Sequence, residues 1–134
     1  MGYFDALETL TGSETLGDIS GVLEQTWSTN THVPDDVRVQ VGIAAGEIGA
    51  NIVEHAGCGR AVRMRMEVYV RPNEVEVTFT DDGAPVSLNL SGLCMPNELA
   101  ERGRGLAMAR TVLERLHYCR DLVNCWTLVS KQFA

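Results

Sequence analysis

One stretch of alternating residues constrains the fold more than any other part of the chain. Apolar and polar side chains alternate from residue 62, a Pro72-Asn73 turn follows, and the alternation resumes to residue 81. The apolar positions are Val62, Met64, Met66, Val68 and Val70 before the turn and Val75, Val77 and Phe79 after it. Such alternation places one set of side chains on one face of a strand. If Arg71 pairs with Glu74, apolar residues oppose apolar residues, which predicts an antiparallel hairpin with one buried face.

The same register places Asp81 opposite Met64, in the inward phase at the end of the second strand. An ionised carboxylate cannot face a hydrophobic core without polar partners. Two interpretations follow. Either the strand ends just before Asp81, or its carboxylate meets a polar group in a pocket.

A second constraint is a proline-free run from Asp35 to His55 with an apolar stripe. The stripe consists of Val37, Val41, Ala45, Ile48 and Ile52. Steps of three and four residues predict one buried helix face. Glu47, Asn51 and His55 follow each other at intervals of four residues, beside that stripe. This polar row either lines a pocket or is a solvated helix shoulder, and the spacing alone leaves both open.

The remaining segments complete an α+β pattern. Residues 1–12 form a poorly defined segment, in which Ala6 to Thr11 is a candidate edge strand. A first helix follows Ser13 and Glu14. Residues 83–102 are predicted to be loop, and Gly103 is predicted to open a third helix, with an apolar stripe at Leu106, Ala109, Leu113 and Leu116. A final hairpin joins 116–120 to 125–133. This order predicts helices on one face of a mostly antiparallel sheet.

Size and charge narrow the class of protein. The 134 residues suit a single domain, residues 1–134. The formal net charge of -7 argues against direct binding of nucleic acid, which requires clustered Lys and Arg. No apolar run approaches the length of a membrane span, and no signal peptide precedes the fold, so we expect a cytoplasmic protein without a membrane partner. The four cysteines have no C-x-x-C spacing, which favours reduced, buried thiols over a zinc site.

Three motifs in sequence carry the functional signal. They are Glu47, Asn51 and His55-Ala56 on a helix, then Asp81-Asp82-Gly83 at a strand end, then Gly103-Arg104-Gly105-Leu106 before an apolar stripe. Together they resemble the Bergerat-type ATP-binding fold of the histidine kinase-like (GHKL) superfamily, a two-layer sandwich with an ATP lid. The compact length and the closing segment, residues 103–131, are most similar to the anti-sigma-factor serine kinases.

This resemblance implies roles on the first helix of the site. Asn51 would hold a Mg²⁺ that bridges the ATP phosphates, since a carboxamide oxygen is a ligand that Mg²⁺ accepts. Glu47 would be the general base for the acceptor hydroxyl. His55 would have a minor role at the helix end.

The resemblance also implies how the remaining motifs bind ATP. Asp81 would accept a hydrogen bond from the adenine amino group, and Gly83 would let the backbone pass close to the base. Residues 84–102 would be the ATP lid. The segment Gly103, Arg104, Gly105 and Leu106 would contact the phosphates, with backbone N–H groups at the helix start and added charge from Arg104.

The sequence departs from the family at three positions. Arg102 stands where a further glycine is usual, and Gly46 and Gly49 stand beside Glu47 where helix formers are usual. Glycine costs a helix about 1 kcal/mol relative to alanine, so these two glycines weaken the helix that positions Glu47. The departure therefore bears on catalysis more than on ATP binding.

The motifs and the resemblance are compatible with three functions. The leading hypothesis is an ATP-dependent kinase that phosphorylates a serine on a STAS-type anti-anti-sigma partner, sequesters a sigma factor, and forms a homodimer. The alternative is an ATP-binding interaction module of the same fold that transfers no phosphate. The third is the catalytic half of a two-component histidine kinase, which is disfavoured because no two-helix segment with an acceptor histidine precedes the fold.

Overall fold

The described residues form a five-stranded antiparallel sheet and three α-helices. The computed structural model describes residues 2–86 and 96–134, with the backbone alone for residues 96–103. The elements are β1 (Tyr3–Leu10), α1 (Thr15–Thr29), α2 (Asp35–Asn51), a π-helical turn (Ile52–Ala56), β2 (Arg63–Val70), β3 (Val75–Asp81), α3 (Pro96–Val112), β4 (Arg115–Arg120) and β5 (Asn124–Val129). The strand order is β1-β2-β3-β5-β4. The α+β fold class is confirmed.

The predicted β2–β3 hairpin is confirmed residue by residue. Val70 pairs with Val75, Met66 with Phe79, and Met64 with Asp81. The Arg71 N–H donates to the Glu74 carbonyl at 2.9 Å, and the Arg71 guanidinium lies 3.2 Å from the Glu74 carboxylate. The alternation of apolar and polar side chains therefore fixes the register between β2 and β3, because a slip of one residue would turn every apolar side chain away from the core.

The helices lie on one face of the sheet. Helices α1 and α2 contact strands β1, β2, β3 and β5, and the core between the layers contains residues of both. Its largest fully buried members include Ile19, Ile48, Ile52, Met66, Phe79 and Leu128. Most side chains on the opposite face of the sheet are half-buried or exposed, and Val129 at the end of β5 is buried. This is the predicted two-layer arrangement.

Helix α2 follows its predicted stripe. All five predicted apolar positions are buried. The regular α-helix ends at Asn51 rather than His55, and a π-helical turn from Ile52 to Ala56 completes the segment. Its last residues lead into a turn in which Cys58 and Gly59 have positive φ.

The structure corrects three predicted boundaries. Strand β1 begins at Tyr3, so the N-terminal segment contains a full edge strand that pairs with β2. Strand β5 ends at Val129, well before Phe133. Helix α3 begins at Pro96 and ends at Val112, so the predicted start at Gly103 and the loop assignment of residues 96–102 are wrong. Residues 87–95 of the predicted lid lie outside the described residues.

No helix within residues 2–86 and 96–134 is both long and apolar enough to cross a membrane.

Candidate functional site

The polar row of α2 faces helix α3 rather than open solvent. A cavity of about 100 Å³ lies between the two helices. Its lining consists of Glu47, Ala50, Asn51, Glu54, His55, Gly105 and Leu106. The structure therefore brings together five residues predicted for the site, from two motifs that are far apart in the chain. The solvated-shoulder interpretation of this row does not hold for Glu47 and Asn51.

Glu47 and Gly105 are in close approach. A Cβ atom placed on Gly105 would lie 2.5 Å from Glu47 Oε2. Glycine in a helix interior costs about 1 kcal/mol relative to alanine. Here the missing side chain makes room for the Glu47 carboxylate beside α3.

Asn51 is the last residue of the regular α-helix and is buried. In the π-helical turn that follows, each hydrogen bond joins residues five positions apart instead of four, and such turns are frequent at functional sites. His55 lies in this turn, with Nε2 3.7 Å from a Glu54 carboxylate oxygen. The direction of the His55 side chain therefore differs from the direction that a continued α-helix would give it.

Gly83 packs against the end of the π-helical turn. A Cβ on Gly83 would lie 2.4 Å from the Ala56 carbonyl oxygen, and the Ala84 N–H donates to that oxygen at 2.7 Å. The need for glycine at this position is therefore explained by contact with the Ala56 backbone. This contact joins the segment after β3 to the end of the π-helical turn.

Asp81 is buried, with 2% of its surface exposed, and only half of its carboxylate is satisfied. Oδ1 accepts hydrogen bonds from the Gly83 N–H and from Asn124 Nδ2, each at 2.9 Å. Oδ2 is buried and has no hydrogen-bond partner among the described residues. Because an unpaired buried carboxylate oxygen is costly, this atom marks a position where a ligand donor would be stabilised.

Asn124 and Tyr118 are two residues of this network that the sequence did not reveal. Asn124 stands opposite Asp81 in the β3–β5 register and is fully buried. Its Nδ2 also donates to the Ala84 carbonyl at 2.7 Å. The Tyr118 hydroxyl donates to Asn124 Oδ1 and accepts from the Val86 N–H at 3.0 Å.

Arg120 completes the network from the surface. Its Nη1 donates to Asn124 Oδ1 at 3.0 Å and to the Gly83 carbonyl at 2.9 Å. The sequence predicts a hairpin that joins 116–120 to 125–133, which leaves Asn124 between the strands, whereas Asn124 is the first residue of β5. A polar residue two positions before Trp126, in the inward phase of the strand, was the available signal.

The predicted site residues fall into two neighbouring groups. Glu47, Asn51, His55, Gly105 and Leu106 line the cavity between α2 and α3. Asp81 instead lines a separate cavity of about 510 Å³ that also involves β1, β2 and the β4–β5 turn, with Val123 as its contribution from that turn. The two groups are connected through the contact between Gly83 and Ala56.

The third motif lies in an unexpected setting. Gly103, Arg104 and Gly105 are inside α3, with Arg104 exposed. In the interior of an α-helix, each N–H bonds the carbonyl four residues earlier. The expected helix start with free N–H groups is therefore absent at these residues. Their assignment to phosphate binding stays a prediction.

The donor set fits a nucleotide-bound Mg²⁺ better than a metal bound by protein alone. Within the described residues, no group of three or more His, Cys, Asp or Glu side chains is placed to hold a metal ion. Mg²⁺ commonly takes one or two protein oxygens and completes its octahedron with phosphates and water. Asn51, beside Glu47 in the cavity, has the chemistry for one such ligand.

The family comparison agrees with this geometry. The sequence model of the histidine kinase-like ATPase domain matches residues 13–129. The chain therefore belongs to the histidine kinase-like ATPase domain family. A comparison with curated proteins returned no significant match.

Proposed function

We propose that this chain is an ATP-dependent protein kinase that phosphorylates a serine hydroxyl on a partner protein. The observation that carries the proposal is the buried Asp81 carboxylate, whose Oδ2 has no donor among the described residues. Membership in the histidine kinase-like ATPase family supports ATP as the ligand. An adenine amino group is the type of donor that this oxygen would accept.

The residues of α2 supply the chemistry on the phosphate side. Asn51 is the proposed ligand of Mg²⁺, which neutralises phosphate charge when it is bound with ATP. Glu47, one helical turn earlier, is the proposed general base and accepts the proton of the serine hydroxyl. Its half-buried carboxylate lies at the α3 surface, beside Gly105.

The partner assignment rests on the resemblance to anti-sigma-factor serine kinases. We propose that the phosphorylated serine belongs to a STAS-type anti-anti-sigma protein, and that the unengaged kinase sequesters a sigma factor. On this proposal the protein acts in the cytoplasm as a homodimer.

The test uses the purified chain, Mg²⁺, ATP and a candidate STAS protein. Intact mass spectrometry of the partner should detect the addition of one phosphoryl group. Glu47→Gln keeps the side-chain shape and removes the base, so transfer should slow by at least ~100-fold while ATP affinity stays near that of the wild type. Transfer at the wild-type rate would eliminate Glu47 as the base.

A second candidate is an interaction module that binds ATP without transferring phosphate. Gly46 beside Glu47 favours it, because a helix-interior glycine whose Cβ would meet no atom within 4 Å weakens the helix that positions the base, by about 1 kcal/mol relative to alanine. The two candidates separate in one experiment. A module would bind Mg·ATP and its partner, measured by calorimetry, but would leave the mass of every STAS partner unchanged.

A further inference from the structure

Two cysteines stand directly opposite each other in the β4–β5 hairpin. Cys119 pairs with Cys125 in the register of the two antiparallel strands. Opposed residues in such a ladder have Cα atoms about 4.5–5.5 Å apart, and a disulfide joins Cα atoms about 4.4–6.8 Å apart. The strand pairing therefore holds the two cysteines within the range that a disulfide spans.

Both thiols lie on the face of the sheet that the helices leave uncovered. The neighbours of Cys125 along β5, Asn124 and Trp126, are buried toward the helices, so Cys125 points the other way. Tyr118 packs against Trp126 on the inner face, with ring centroids 4.7 Å apart, so Cys119 also points outward. Cys119 is exposed and Cys125 is half-buried. This placement corrects the expectation of buried thiols.

The two side chains interact in the reduced protein. Burial is the main cause that raises the pKa of the Cys125 thiol above its usual value, and the neighbouring Cys119 raises that pKa further. Cys125 is therefore held as a thiol beside the more exposed sulfur of Cys119. A reagent from solvent reaches Cys119 first.

We propose that Cys119 and Cys125 are a redox-active dithiol, which hydroperoxides convert reversibly to an intrachain disulfide. This modification site is independent of the proposed kinase activity.

The reaction proceeds in two balanced steps. The Cys119 sulfur attacks one oxygen of the hydroperoxide, the O–O bond breaks, and a sulfenic acid and an alcohol (water, for hydrogen peroxide) are formed. The Cys125 sulfur then attacks the Cys119 sulfur, the S–S bond forms, and the hydroxyl leaves as water with the Cys125 proton. The two thiols lose two electrons, and the O–O bond gains them. A dithiol reductant reverses the reaction by exchange.

The cross-link would lie next to the network that holds Asp81. Tyr118 precedes Cys119, and Asn124, which donates to Asp81 Oδ1, precedes Cys125. A disulfide fixes the separation of β4 and β5 at this point. Amide hydrogen exchange in residues 118–125 should therefore slow in the oxidised protein relative to the reduced one.

The experiment treats the reduced full chain with hydrogen peroxide under native conditions, alkylates the remaining thiols, and maps linked peptides by mass spectrometry. The wild type should lose two hydrogen atoms and two alkylatable thiols, contain a linkage between Cys119 and Cys125, and recover both thiols with dithiothreitol. Cys58→Ser, a control that removes a different exposed thiol, and Cys94→Ser should form the same linkage.

The single variants of the pair separate the steps. Cys125→Ser should stop at a sulfenic acid on Cys119, trapped by dimedone, and Cys119→Ser should form no intrachain linkage. Linked peptides that contain Cys58 or Cys94, linkage only between two chains, or oxidation of Cys119 to sulfinic acid without linkage would each overturn the proposal. Because the linkage is mapped in the wild type, the result does not depend on the folding of a variant.

Discussion

Asp81 shows how one side chain can connect stability with binding. Its Oδ1 is used fully by the Gly83 N–H and Asn124 Nδ2, whereas Oδ2 is buried without a donor among the described residues. A buried acceptor without a donor costs about 1–3 kcal/mol, and more when it is charged. A ligand donor that reaches Oδ2 would remove this cost on binding.

The first prediction concerns Asp81→Asn. The amide oxygen can keep the two hydrogen bonds of Oδ1, while the NH₂ group replaces Oδ2 and presents a donor in place of an acceptor. ATP affinity, measured by calorimetry, should therefore fall at least ~10-fold, since a hydrogen bond to a charged group contributes about 1.5–3 kcal/mol. The midpoint of thermal unfolding should stay at or above that of the wild type.

The neighbouring carboxylate is the matched control for this prediction. Asp82 is exposed, and its Oδ1 accepts the Arg63 N–H at 2.8 Å. Asp82→Asn should leave ATP affinity within twofold of the wild type, roughly the effect of a surface substitution. Equal affinities for both variants and the wild type would remove Asp81 from the nucleotide site.

Gly83 gives a second prediction, about stability. An alanine Cβ would lie 2.4 Å from the Ala56 carbonyl oxygen, and backbone cannot move aside as a flexible side chain can. Gly83→Ala should lower the free energy of unfolding by roughly 1–3 kcal/mol. Urea denaturation measures this change. Gly12→Ala, where the added Cβ would meet no atom within 4 Å, is the control and should remain within about 0.5 kcal/mol of the wild type.

Helix α2 carries glycines with different surroundings. A Cβ on Gly46 would meet nothing within 4 Å, whereas a Cβ on Gly49 would lie 2.5 Å from Ile19 Cδ1 of α1. Gly49 therefore permits the close packing of α1 on α2. Gly46 has no such contact among the described residues, although it borders a groove between the two helices.

The third prediction compares these two glycines. Gly46→Ala should raise the free energy of unfolding by about 1 kcal/mol, the difference in helix propensity. Gly49→Ala gains the same propensity but must displace Ile19, so its stability should be lower than that of Gly46→Ala. The free energy of unfolding of both variants is measured by urea denaturation, and the comparison requires that its dependence on urea concentration is the same for the two. A Gly49 variant that is as stable as the Gly46 variant would show that Ile19 adjusts without cost.

The packing of α3 on α2 determines access to the proposed site. The cavity between them has a volume of about 100 Å³, whereas pockets for small molecules usually have about 300–1,000 Å³. We therefore expect α3 to shift relative to α2 when a nucleotide binds at Glu47 and Asn51. We expect no such shift within the sheet, because residues of β2, β3 and β5 are buried in one hydrophobic core.

The fourth prediction follows from this size mismatch. Addition of Mg·ATP should change amide hydrogen exchange in α3, Pro96–Val112, more than at the end of the β2–β3 hairpin far from Asp81, where Val70 pairs with Val75. Mass spectrometry of peptides measures both regions in one sample. Asp81→Asn at the same ATP concentration is the control and should show a smaller change in α3. Saturation with ATP without any change in α3 would contradict a site between these helices.

Local patterns were sufficient to predict the hairpin and the buried face of α2. In the observed register Met66 pairs with Phe79, and both side chains face the core. A shift of one residue would expose all the apolar side chains of one strand, because the side chains of a strand alternate with a period of two. The stripe of α2 likewise depends only on the helical repeat. The motifs with Glu47, Asn51 and Asp81 could be selected because their residue types and order are typical of a known fold.

Tertiary structure alone decided how those motifs meet. Helix α3 begins seven residues before the predicted start at Gly103, because glycines that signal a helix end locally are tolerated where packing compensates for their cost. The contact of Gly105 with Glu47 and the partnership of Asn124 with Asp81 both join residues more than 40 positions apart. Such contacts depend on the path of the whole chain. The amino-acid sequence by itself therefore determined the elements and the chemical groups, and the packing of α3 and β5 determined which of those groups are buried together.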